Sequence, residues 1–554
     1  MPKLSGSMRY WMVILMAIML VFTVIAFSAC GAEEEDAPAP PVPEEPSDED
    51  EDEDEDAADD RMGGTLTIAF HRVIDVAEIH RSRWNRFVNA QIYTPLVWEP
   101  SFGEFVPGLA EDWDIDDDYM GITLYLRDDI DLTDGTHMTA DVLVASWERG
   151  EEIWPMQWVR VADFSAAGEY EFRVDFENPE PNPLGYLTDV AGYWTAPQSP
   201  SAIEEKGDDY SLYPVSYGPF KIDEWTSETE LRLVRNEDYN PDHFPHIEGP
   251  FVDTLICQML EEESTRTAAL RAGEVDMVMQ PAYHELPTLT QTFNQLSYQF
   301  PGVVQVFTPN LDRFPTSELA VRQAMLYGLD REAVSQIAFF GAEPGAYSMF
   351  SEGNWAHNPD AEDRWGYDPE RAVSILEEAG WEMGDDGVRY KDGEPLEIRF
   401  IGSDNEAYQV ALSQWEDIGF KTSLESMPYD EQVARVNRND YEVYRVGLSG
   451  ADPHTPVFGI LHSSEVAHEH EGDRWNRSSV RDPELDELIE YANSLPTIEE
   501  RIPVYHEIEE LALENAYIIP HWQGTYYWLM DPAVQGFRMG IQGNPYFFEV
   551  WLDR

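Results

Sequence analysis

The histidines are the first residues with the makings of chemistry. His468 and His470 form a His-x-His pair downstream of His454 and His462. A metal centre needs three or four ligands fixed by a fold, and His468-Glu469-His470-Glu471-Gly472 is polar and loop-like, so the segment reads as a solvated loop and no metal is expected. Carboxylate pairs abound among 108 Asp and Glu residues. At that density pairs arise by chance, and glycosidase-type acid and base roles cannot be inferred from them. Nucleophile elbows, P-loops, His-Glu-x-x-His helices and paired-cysteine zinc spacings are all missing. No catalytic residue is therefore expected, nor any cofactor. Binding is the chemistry that remains. His71 and Arg72 end an apolar run that reads as a first strand, where open α/β sheets place ligand contacts. Asp452-Pro453 reads as a turn starter.

The 554 residues suffice for three or four domains. A formal net charge of −73, with 35 basic residues, excludes binding to nucleic acid through phosphate contacts and docking on anionic lipid through surface charge. Hydrophobic residues at 43% and aromatics at 12% require a substantial core. Cys30 and Cys257 are the two cysteines, too few for a disulfide framework, and Cys257 in Leu255–Leu260 reads as a packed core thiol. Lysine occurs only at 3, 206, 221, 391 and 421. An acidic, lysine-poor surface suits a solvent of high ionic strength, where self-repulsion is screened.

Lys3 and Arg9 precede an apolar run from Tyr10 to Ala29, followed by Cys30. A basic start, an apolar stretch and small residues describe an export signal over residues 1–30. Phe27-Ser28-Ala29-Cys30 resembles a lipobox, with Phe27 where an aliphatic residue is usual. Cys30 is thus the expected lipidation site, and an uncleaved membrane anchor is the alternative. Residues 31–62 are expected to be an extended, disordered linker. Residues 31–60 carry 17 acidic side chains and no basic ones, so they cannot bury enough surface to fold.

The elements needed to position any site follow from Gly63 onward. Thr65–Phe70, Ile122–Arg127, Glu171–Phe176 and Leu231–Val234 read as strands, and residues 95–190 are rich in strands and turns. Asp368-Pro369 opens a helix that Gly380 ends. Asp482-Pro483 opens another, and the capping box Thr497–Glu500 a third. Strands and helices alternate, which predicts an α/β fold.

Several blocks then resemble, in order, the family-5 extracellular solute-binding proteins of ABC transporters, the oligopeptide, dipeptide and nickel binders. They include Ile92–Pro100, Val106–Asp118, Leu124–Arg149, Pro214–Ile222, Ala269–Val278, Val321–Val334, Tyr367–Trp381, Trp415–Glu425 and Pro483–Trp522. The block Leu124–Arg149 is the most specific, an extended Leu-Arg segment, an Asp-Gly-Thr turn and a helix ending near Arg149. The resemblance implies a two-lobed α/β fold of the type II periplasmic-binding-protein kind, with an extra subdomain inserted in lobe I. Lobe I would span 63–305 with its insert at about 95–190, lobe II 306–519, and residues 520–554 would return to lobe I.

The resemblance also implies a site between the lobes. Asp452 matches an aspartate that holds a peptide's α-ammonium, and Arg445 an arginine for a ligand carboxylate, one residue out of register. Met349, Phe350 and Trp355 match a loop that walls the ligand's side chains. The expected partners are a small peptide, ABC permease subunits and, through the lipid anchor, the outer face of the cytoplasmic membrane, with the protein acting as a monomer. An oligosaccharide or nickel ligand is the alternative within the family, and a surface hydrolase the alternative outside it.

Overall fold

The computed structural model describes residues 60–554 except 82–85, 154–157, 159, 181, 190–192, 227, 300, 448–449, 451, 471–473, 496 and 542. The export signal, Cys30 and nearly all of the acidic linker lie outside the described residues.

Thr65–Phe70 is a central strand buried on both faces toward its end, with Leu66, Ile68 and Ala69 fully buried. It runs parallel to Thr254–Met259 on one side and Met277–Met279 on the other. Glu230–Arg235, Phe220–Thr226, Thr525–Met530 and Asn294–Gln299 complete a seven-stranded mixed sheet through antiparallel pairs. Cys257 is buried in this sheet, its thiol pushed up to about 12 by desolvation. A separate four-stranded antiparallel sheet joins Ala110–Ile115, Gly121–Leu126, Glu171–Phe176 and Val161–Ala166. The helix Ala140–Ile153 belongs to the same insert and continues beyond Arg149, where the sequence motif ends it. Its Trp147 is clamped among Trp158, Phe164 and Phe172.

A second sheet has five strands, ordered Lys421–Ser426, Glu397–Gly402, Val443–Val446, Gln305–Pro309 and Ile519–Trp522. Around it the helices start where side chains can cap them. Asp368 accepts from the Arg371 N–H, Asp482 from the Glu484 N–H and Thr497 from the Glu500 N–H. The last differs from a reciprocal capping box, because the Glu500 carboxylate accepts from the Thr497 hydroxyl at 3.1 Å.

Each large sheet has its own core. Trp528 packs edge-on against Phe70, Phe87 and Phe547 in the first, and Phe307 edge-on against Phe400, Tyr408 and Trp415 in the second. The chain crosses between them twice, once between Gln299 and Gln305 and once at 523–524. It ends on the first lobe, where Trp551–Leu552 pairs with Val534–Gln535 and Arg554 Nη1 meets Asp276 Oδ1 at 2.7 Å. Two sheets with two crossings are the α/β, two-lobed arrangement expected from the sequence.

Candidate binding site between the lobes

Asp452 follows the strand Val443–Val446 and precedes the helix His454–Leu461. As a turn starter it accepts the His454 N–H at 2.7 Å. It is also an ion-pair partner. Arg501, from the helix Ile498–Glu514, donates Nη1 to Oδ2 at 2.7 Å and Nη2 to Oδ1 at 2.8 Å. The guanidinium is held in turn, lying 5.1 Å over the Trp355 ring and donating to Tyr505 Oη at 3.2 Å. Tyr505 stands edge-on to both Trp355 and Phe350.

Desolvation is the largest influence on the Asp452 carboxyl and pushes it up, but the bonds and charge of Arg501, with the His454 N–H, hold it below the usual range. Yet 37% of the Asp452 side-chain surface is accessible. The carboxylate is thus desolvated while part of its surface stays open. Charges of the inserted subdomain act on this cluster. Arg160, paired with Glu180 at 3.2 Å, exerts its charge on His454 and Tyr505 and feels that of Asp452. Glu99, pushed up to about 7 by desolvation, also feels Asp452. His454 is buried, lowered to about 3 by desolvation, and its Nδ1 has no partner among the described residues.

Arg445 lies nearer the crossings. It donates Nη1 to Gln305 Oε1 at 2.6 Å and Nε to Tyr408 Oη at 3.0 Å, and among the described residues no carboxylate pairs with it. Its charge reaches Glu343, which desolvation pushes up to about 7 against a hydrogen bond from Tyr283. That bond, Tyr283 Oη to Glu343 Oε1 at 2.8 Å, joins the lobes, as does Tyr527 Oη donating to the Ala342 carbonyl at 2.6 Å.

His71 and Arg72 stand at the C-terminal end of the central strand, with Arg72 Nε donating to His71 Nε2 at 3.2 Å. Met349 and Phe350 are buried in the second core, so Phe350 backs Tyr505 from behind. Trp355 is partly buried and packs against Arg501. His468 sits 3.4 Å from Asp312, beside Arg481. Among the described residues no group of three or more His, Cys, Asp or Glu side chains could hold a metal ion, and no helix is long and apolar enough to cross a membrane.

Sequence reasoning passed over Arg501, Arg160, Glu99 and Glu343. Arg501 carried a faint signal, a lone arginine one helical turn before Tyr505 in an acidic helix. The others carried none, because their partners come from distant segments.

A family model described as bacterial extracellular solute-binding proteins, family 5, middle region, matches residues 104–467. Heme-binding protein A of Haemophilus influenzae is 24% identical over 498 residues, covering 84% of this chain and 87% of that protein. The dipeptide-binding protein of Escherichia coli is 22% identical over 497 residues, covering 85% and 89%. Among solved structures, NikA from Brucella suis in complex with Fe(III)-EDTA superposes with a TM-score of 0.77 at 21% identity, covering 88% of this chain and all of that one. DppA from Helicobacter pylori in complex with the peptide STSA gives 0.74 at 20% identity, covering 89% and 99%.

Proposed function

The chain belongs to family 5 of the bacterial extracellular solute-binding proteins, the substrate-binding components of ABC transporters, and we propose that its cargo is a peptide anchored by its amino terminus on Asp452. The carrying observation is the state of that carboxylate. Arg501 keeps it ionised and fixed, in a desolvated but accessible position. A carboxylate offers about four lone-pair directions. Arg501 and the His454 N–H take three, two on Oδ1 and one on Oδ2, which leaves one on Oδ2 for a ligand ammonium. Likeness to dipeptide- and di/tripeptide-binding proteins supports the same reading.

In this reading Arg445 receives the peptide's carboxylate with the N–H groups it has left over, and Trp355 forms a wall. The ligand bridges the lobes and shifts an open–closed equilibrium toward the closed form, which the permease recognises. It can shift that equilibrium only by its differential affinity for the two forms. The protein works as a monomer outside the cytoplasmic membrane, held there by a lipid on Cys30.

Calorimetric titration with a matched pair of peptides, free and N-acetylated, tests the anchor. The free peptide is expected to bind at least about 10-fold more tightly, the worth of one charge-assisted hydrogen bond. Equal affinities, or tight binding of an oligosaccharide in place of either peptide, would overturn the assignment.

A further inference from the structure

The C-terminal end of the central strand holds donors in excess of acceptors. Arg72 Nε can only donate, so the His71 Nε2 it reaches at 3.2 Å must accept. Desolvation first, then the charges of Arg72 and Arg266, lower His71 to about 3, so the ring is neutral and its proton sits on Nδ1. That Nδ1–H is buried and has no partner among the described residues. Among the described residues the terminal amino groups of Arg72 have no hydrogen-bond acceptor and no carboxylate; the guanidinium is partly exposed and lies 5.9 Å from the centre of the Phe87 ring. Arg266 adds a second, nearly buried guanidinium whose bonds go to the carbonyls of Leu260, Glu261 and Gln280.

Glu262 and Glu263 offset part of the Arg266 charge, but Arg72 has no carboxylate partner among the described residues, which stands out in a chain of net charge −73. The donor cluster also adjoins the second crossing between the lobes. Gln280, which Arg266 holds, bonds Thr525 and Tyr527, and Tyr283 next to it reaches Glu343 of the other lobe. A cationic group brought here would leave the donors unsatisfied and a neutral carbonyl would satisfy only part of them, whereas a carboxylate can accept from several and balances the Arg72 charge as well.

We propose that His71 and Arg72 form an anion subsite on lobe I that takes an acidic side chain of the ligand, so that the protein selects peptides of net negative charge. This rests on the peptide reading above, and the test separates the two. Matched short peptides differing only in Glu, Gln or Lys at one position are titrated at fixed ionic strength, alongside glutarate and its monoamide. The Glu peptide is expected to bind about 10- to 100-fold more tightly than the Gln peptide, and the Lys peptide more weakly than both. Arg72→Gln should bring the Glu-to-Gln ratio close to one, while Arg72→Lys, which keeps the charge, should retain most of it. Peptides that bind with a ratio near one in the native protein would overturn the subsite and leave the peptide reading standing. A ratio that survives Arg72→Gln would overturn the subsite equally. If no peptide binds but glutarate is preferred over its monoamide in an Arg72-dependent manner, the subsite stands and the peptide reading falls. If nothing binds, both fall.

Discussion

Arg501 holds both carboxylate oxygens of Asp452, Nη1 on Oδ2 at 2.7 Å and Nη2 on Oδ1 at 2.8 Å, across 49 residues of sequence. The pair sits between Trp355 and the helix His454–Leu461, so neither partner can leave without stranding the other in a desolvated space. Asp452→Asn is therefore expected to weaken binding of a free peptide by roughly 1.5–3 kcal/mol, about 10- to 150-fold, and to leave an N-acetylated peptide little affected. Arg501→Gln should weaken it too, but with a rise of affinity with pH, opposite in sign to the native trend set by Glu343. Without the guanidinium, desolvation raises the Asp452 carboxyl, and affinity should recover as pH rises through its new value. Titration calorimetry at several pH values reads both; a pH-independent loss in Arg501→Gln would contradict this account.

Glu343 makes the closed form sensitive to pH. Its carboxyl is raised to about 7, by desolvation first, and faces Tyr283 and Tyr527 from lobe I with Arg445 and Trp522 from lobe II. A raised value means that closure favours the protonated form. The stabilisation is complete below the ordinary glutamate range and is lost as pH rises through about 7. Ligand affinity is accordingly expected to fall across that window, and Glu343→Gln to flatten the fall. Tyr283→Phe removes a hydrogen bond that favours the carboxylate and should move the window to higher pH. A native profile that is flat from about pH 5 to about pH 8 would refute the mechanism.

The acidic surface should make stability depend on salt. With 108 acidic against 35 basic residues, exposed carboxylates repel one another over a Debye length that shrinks from about 10 Å at 0.1 M to about 3 Å at 1 M. Thermal unfolding is expected at higher temperature in molar sodium chloride than in dilute buffer. Equal melting temperatures in the two would end the idea that the surface suits a saline medium.

Cys30→Ser should abolish membrane retention if Cys30 carries the lipid. Partition of the expressed protein between detergent and aqueous phases measures this directly. A variant that stays in the detergent phase would point instead to an uncleaved apolar helix over residues 10–29.

Local structure was largely legible because it is set by neighbours in sequence. The short β-prone runs Thr65–Phe70 and Glu171–Phe176 mark both strands at their observed limits, and Asp368 and Asp482 cap the helices they were expected to open. Thr497 likewise caps the helix it was expected to open, its hydroxyl accepting the Glu500 N–H while donating to the Glu500 carboxylate. The loop Gly341–Trp355 shows why contacts are harder. Met349, Phe350 and Trp355 look alike as apolar walls, and only folding buries the first two and sets the third against Arg501.

By itself the sequence determined the element types, the order of family blocks, the acidic surface and the absence of recognisable catalytic motifs, since each is written in residue type and short-range spacing. Tertiary structure alone decided which few of 108 carboxylates matter. Charge energies depend on desolvation and on partners within a few ångströms. Asp452 meets Arg501, and Glu343 meets Tyr283 60 residues away, only once two sheets have folded and the chain has crossed between them twice.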